Sequence, residues 1–189
     1  TGTCEIIVAS EQGFKGGVII GLGAPGELTA HALTESVSKG VLKYLLDLNN
    51  GKLAQCGITN TSEKIGISSL IIGCGFGGLT IESSVRAILQ GIIFANDKIR
   101  RSKNKNYRLI EVVEFVEQYE DRARACFYII NKITYNERLQ LNVIADKEKI
   151  KPLLGSKKRL PTDDYEEWWL RIAVSYNRSE NDKCEAGNI

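Results

Sequence analysis

No methionine occurs in the 189 residues, there is one histidine, and the five cysteines are scattered. Cys4, Cys56, Cys74, Cys126 and Cys184 are odd in number and contain no Cys-x-x-Cys pair, so neither a zinc ribbon nor a redox dithiol motif is present. Reduced thiols in a cytoplasmic protein are the expectation, with no metal and no cofactor. Long apolar runs are missing too: the stretches Ser69 to Ile72 and Ile88 to Ala95 fall far short of the roughly 20 residues a spanning helix needs. Charge of one sign is not in excess. Twenty-five basic residues against 23 acidic ones leave +2, too little for a global field that would draw nucleic acid or an anionic membrane.

What is present is a globular composition, 43% hydrophobic and 25% charged, in a chain long enough for one substantial core. Thr1 at the start, the absence of methionine and the unpatterned ending Cys184 to Ile189 point to a piece of a longer protein. An amino-terminal threonine can serve as a nucleophile with its own α-amine as base, but a processing boundary explains Thr1 more simply.

The order of elements reads as alternating strand and helix. Cys4 to Ala9 and Val18 to Ile20 are predicted strands on either side of a glycine-containing turn. Thr29 is a suitable N-cap for a helix carrying Leu33, Val37, Val41, Leu45 and Leu48 at helical spacing, stopped by Asn49-Asn50-Gly51. Ile65 to Ile72 reads as a strand, and Thr80 caps a second helix to about Ile99 with the stripe Ile81, Val85, Ile88, Leu89, Ile92 and Ile93. The basic stretch Lys98 to Lys105 reads as a solvated loop. A strand from Leu109 to Val116 precedes a helix from Tyr119 to Ile133 with Ala123, Phe127 and Ile130 inward. Later, Leu139 to Ile144 is a short apolar run, and Trp168 to Tyr176 alternates like a strand. The expected division is one domain over residues 1–176 and a linker or disordered tail over 177–189.

Ile19-Ile20-Gly21-Leu22-Gly23 through Leu28-Thr29 and Ile71-Ile72-Gly73-Cys74-Gly75 through Leu79-Thr80 repeat one strand, turn and helix start. The inference is two strands of one sheet with both turns at the same edge. Each turn matches Gly-x-Gly-x-x-Gly, at Gly21, Gly23 and Gly26 and at Gly73, Gly75 and Gly78. Such turns gather free N–H groups and the positive end of a helix dipole, where phosphate binds. Gly21, Gly23, Gly26, Gly73, Cys74, Gly75, Phe76, Gly77, Gly78 and Thr80 are therefore the candidate anion-binding residues. The alternative is that the glycines permit only tight turns and close packing. A dinucleotide fold wants a carboxylate about 20 positions later at a strand end. Asp47 falls on the predicted helix and Glu117 lies too far along. No Lys-Ser or Lys-Thr follows either cluster, which excludes a P-loop. Cys74 at a helix start is expected to have a lowered pKa, and His31 on the other helix start is its candidate base, a pairing with no third group to orient it.

The run Ser68 to Thr80 with its helix resembles the phosphate-binding loop of macro domains, which bind ADP-ribose. The unit from Val18 to Thr29 is similar to the amino-terminal, non-catalytic domain of leucine aminopeptidases. Taken with Phe115 to Ala123 and Trp168 to Ile172, the chain resembles the domain that accompanies the caspase-like CHAT peptidase in large bacterial proteins. The peptidase's own His-Gly and Ala-Cys-x-Ser motifs are absent. The resemblance implies a three-layer, macro-like α/β fold, a mixed sheet with helices on both faces. It also implies a non-catalytic regulatory or interaction module whose partners are other domains of the parent chain. A nucleotide or ADP-ribose binder and a Cys74-dependent hydrolase are the rival readings.

Overall fold

The structure, a computed structural model, describes residues 2–8, 16–24, 26–54, 64–74, 77–102, 106–136, 145, 150 and 157. The chain divides into two units, Thr1–Lys158 and Arg159–Ile189, and every described residue belongs to the first. The predicted strand Trp168 to Tyr176, the run Leu139 to Ile144 and the tail lie outside the described residues, as do Gly75 and Phe76.

The first unit is an α/β assembly of β1 (Cys4–Val8), β2 (Gly16–Ile20), α1 (Ala30–Asn49), β3 (Gly66–Leu70), α2 (Ile81–Arg100), β4 (Val112–Val116) and α3 (Glu120–Asn136). Both long helices start as their sequences predict. The hydroxyl of Thr29 accepts a hydrogen bond from the Ala32 amide at 3.1 Å, and that of Thr80 accepts from the Ser83 amide at 3.0 Å. Caps of this kind contribute about 1 kcal/mol each. Leu28 precedes the first cap and joins the cluster that holds Leu33, the arrangement of a hydrophobic staple. The second helix carries Ser84 at the matching place, fully buried, and its hydroxyl donates to the Ile72 carbonyl at the end of β3. α1 stops where Asn50 caps it and Gly51 turns left-handed at φ +73°. α2 continues through Lys98 to Arg100, so these residues form its last turn, where positive charge complements the helix dipole, and not a loop.

The strands do not form the single sheet expected from the repeat. β2 pairs antiparallel with β1, Ile6 opposite Val18, while β3 pairs parallel with β4, Ser68 opposite Glu114. Among the described residues no ladder joins the two pairs. Connection length accounts for the difference. Residues 9–15 are too few for a crossover, so β1 and β2 must run antiparallel. The whole of α2 lies between β3 and β4, and a helical crossover of that size returns the chain parallel.

Side-chain alternation sets the layers. Ile6, Val8 and Ile20 of the first pair and Ile67, Val113 and Phe115 of the second turn toward a core built on Leu33, Val37, Val41 and Leu45 of α1 and Ile88 and Ile92 of α2. Each fully buried leucine there stabilises the fold by about 2 kcal/mol. A second cluster, centred on Val85, Leu89, Cys126 and Ile133, packs α2 against α3. On the outer faces Ile7, Ile19 and Val112 are exposed, and Leu70 is 67% exposed. The described residues thus form helices against one face of each ladder, not a third layer on the other. The alternating polar residues Ser68 and Glu114 are what a half-solvated strand carries.

The inward stripe of α3 also differs from expectation. Phe127 is exposed, and Cys126, Ile130 and Ile133 face the core. These three recur at four- and three-residue steps, and the cysteine was the apolar position that the predicted stripe passed over.

Two close approaches hold the helices. Gly91 brings α2 onto α1: a Cβ there would stand 2.8 Å from the Thr34 carbonyl oxygen and 2.9 Å from Val37 Cβ. Gly40, in register with Gly91 when the two helices are laid over each other, faces Ile20 and Val18 of β2 instead. At the far end of the helices two side-chain amides stand in for strand partners. Asn96 donates to the Ile110 carbonyl at 2.9 Å and accepts from the Ile110 amide at 3.0 Å. Asn49 makes the same two bonds with Arg108, at 3.1 and 2.7 Å. No described helix is long and apolar enough to cross a membrane.

Candidate functional site

The carboxyl ends of β3 and β4 lie side by side, because the pair is parallel and in register from Gly66 with Val112 to Leu70 with Val116. The second glycine turn leaves β3 there, and Glu117 to Glu120 lead from β4 into α3 at the same rim. This is where an open α/β sheet gathers ligands.

The rim is occupied by the chain's own groups. Arg122 Nε donates to Glu117 Oε2 at 2.9 Å, and its terminal nitrogens lie 3.4 Å from the carbonyl oxygen of Cys74. The other Glu117 oxygen accepts from the Gln118 and Tyr119 amides at 2.8 and 3.3 Å. With side chains 12% and 23% exposed, Glu117 and Arg122 form a largely buried ion pair that ties β4, the turn and α3 together. Glu82, in the first turn of α2, offsets the positive helix end, and hydrogen bonds from Arg86 and then Lys132 hold its carboxyl below the usual range. The two carboxylates and the three cations at this rim are thus bonded to one another.

The described residues at the two sides of the turn, Gly73 and Gly77, are closely packed. Gly73 adopts φ +78°, and the space a side chain would take is filled by Leu28 of the first turn and Leu79 of its own, 2.8 and 2.9 Å from a Cβ built there. A Cβ on Gly77 would meet the Gly73 carbonyl oxygen at 2.6 Å, and the Leu79 amide donates to that same oxygen at 3.1 Å. Leu28 against Gly73 places the two glycine turns next to each other even though their strands belong to different ladders. In the first turn Gly21 exchanges hydrogen bonds with residues 2 and 3 and lies against Thr3, and Gly26 faces open space, as Gly78 does in the second. Gly23 is left-handed at φ +89°. Thr80 is engaged as a cap and donates its hydroxyl proton to Ser83 Oγ at 2.9 Å.

Cys74 is half-buried, its sulfur 4.0 Å from the Ile72 carbonyl oxygen. Burial lifts its thiol above the ordinary value, against smaller lowering effects of the Ser84 hydroxyl and the Arg122 charge. The expected lowering at a helix start is therefore outweighed. His31 is 84% exposed and stands 3.8 Å from Glu35 on its own helix. No hydrogen bond joins His31 to Cys74 among the described residues. Cys126 is buried nearby, its thiol pushed up to about 11 by burial, then by the Glu117 and Cys74 charges. No group of three metal-ligating side chains gathers among the described residues.

Arg122 and Glu117 both lie in the run Phe115 to Ala123, but nothing in the sequence marks them as partners. Their five-residue spacing spans a strand end and a helix start, so neither helical nor strand periodicity pairs them. A charged residue of each sign flanking a strand-to-helix boundary was the available signal. Comparison of the chain with protein-family models, curated proteins and solved structures found no match.

Proposed function

We propose that this chain is a non-catalytic interaction module, a macro-like α/β domain of the kind that accompanies CHAT peptidases, whose partners are other domains of its parent protein. The observation that carries this reading is the Glu117–Arg122 pair on Cys74's carbonyl, which engages charged and backbone groups at the rim with one another and not with a ligand. The protonated Cys74 and the outlying His31 support it, since a nucleophile needs its base within hydrogen-bond reach. Ile7 and Ile19 on one ladder and Leu70 and Val112 on the other supply apolar surface for contact with protein.

One observation favours a second reading, a binder of ADP-ribose or a related nucleotide: Gly26 and Gly78 face open space beside adjacent helix starts. Calorimetry with ADP-ribose and ATP separates the two. The interaction module gives no saturable heat up to about 1 mM ligand. A dissociation constant below about 50 µM, abolished by Gly78→Val, replaces the first reading with the second. Turnover of an ester or peptide that Cys74→Ala abolishes defeats both.

A further inference from the structure

Two of the thiols in the described residues share one apolar cluster. Cys126 is 3% exposed and sits with Val85, Leu89 and Ile133 between α2 and α3, and Cys74 packs against this cluster from the second glycine turn. α3 sets their relation. Cys126 lies one helical turn beyond Arg122, on the same side of the helix, and Arg122 reaches the Cys74 carbonyl. Cys74 is also within electrostatic range of Cys126. The remaining thiol of the described residues, Cys4, is on β1 beside Lys43 and Asp47, away from this cluster.

We propose that Cys74 and Cys126 are a thiol pair that a hydroperoxide converts to a reversible disulfide, fixing the second glycine turn to α3. Cys74, the more accessible, reacts first. Its thiolate attacks one peroxide oxygen, an S–O bond forms as the O–O bond breaks, and the departing oxygen takes a proton and leaves as water or alcohol. Cys126 then attacks the sulfenic sulfur of Cys74, and its proton passes to the departing oxygen. The S–S bond forms, the S–O bond breaks, and hydroxide leaves as water. Two thiols give up two electrons and one hydroperoxide accepts them. A small-molecule dithiol reverses the step and is itself oxidised.

The groups facing the pair are Ser84 from α2, Arg122 from α3 and Glu117 from the end of β4. Burial outweighs them, so both thiols stay protonated at neutral pH and the reaction is slow there. Its rate rises roughly tenfold per pH unit between about pH 7 and 8.5, as the thiolate fraction does.

The test exposes the full chain to hydrogen peroxide at both pH values, unfolds it in denaturant, blocks remaining thiols by alkylation, and maps the non-reduced digest by mass spectrometry. The expected result is a linked Cys74 and Cys126 peptide pair, formed faster at the higher pH and abolished by dithiothreitol. The linked form melts about 5 °C higher than the reduced one. In Cys74→Ser, Cys126 stays alkylatable. The proposal is overturned if Cys74 ends as a sulfinic acid, if it links to Cys4, Cys56, Cys184 or a second chain, or if both thiols are still alkylatable after exposure.

Discussion

The two strand, turn and helix units differ most in what holds them. Laid over each other, Leu28 meets Leu79, Thr29 meets Thr80 and Gly40 meets Gly91, and both helices are 20 residues long. Yet the first unit follows a strand of an antiparallel pair and presents His31 and Gly26 to solvent, whereas the second leaves a parallel strand and is bound down by Ser84, Glu117 and Arg122. The same local signature therefore fixes a local form, a capped helix after a glycine turn, without fixing its surroundings. Those depend on the length of chain to the next strand and on charges that arrive from β4 and α3.

Breaking the second unit is expected to cost more than breaking the first. The largest effect is at the amides. Asn96→Ala leaves the buried Ile110 N–H and C=O without partners and destabilises by about 3 kcal/mol, whereas Asn49→Ala, at a partly exposed site, costs about half as much. Urea unfolding followed by circular dichroism measures both, and equal losses would erase the contrast. The helix glycines come next. Gly91→Ala pushes a methyl against the Thr34 backbone and costs about 2 kcal/mol. Gly40→Ala meets the flexible end of Ile20 and costs less than about 1 kcal/mol. The smallest effect has the opposite sign. Ser38 is buried, and among the described residues its hydroxyl has no hydrogen-bond partner, where the second helix has Leu89. Ser38→Ala is expected to raise stability by about 0.5 to 1 kcal/mol, and a lower melting temperature would contradict it.

How much the sequence reveals follows from the range of each interaction. Thr29, Thr80 and the apolar stripes act within one or two turns, so α1 and α2 are legible almost to their ends. Strands are placed to within a few residues for the same reason, although β4 begins at Val112 and not at Leu109, because Ile110 is bonded to Asn96 instead of to β3. Pairing is not legible in the strands themselves, since alternation names a face and leaves the neighbour open. For the rim, the helix dipole is the visible influence on Cys74, while its burial is against a cluster that includes Cys126 and Ile133, which are distant in sequence. Arg122 reads as one more charge on an amphipathic helix until β4 brings Glu117 beside it.

The paired amides of Asn49 and Asn96 have a consequence for how the chain finds its arrangement. They grip Arg108 and Ile110 from helices joined through Gly91, so they hold β4 in one phase of its ladder. A slip of one residue would turn Val113 and Phe115 outward and Glu114 inward, and the two carboxamides act as a ratchet against that error.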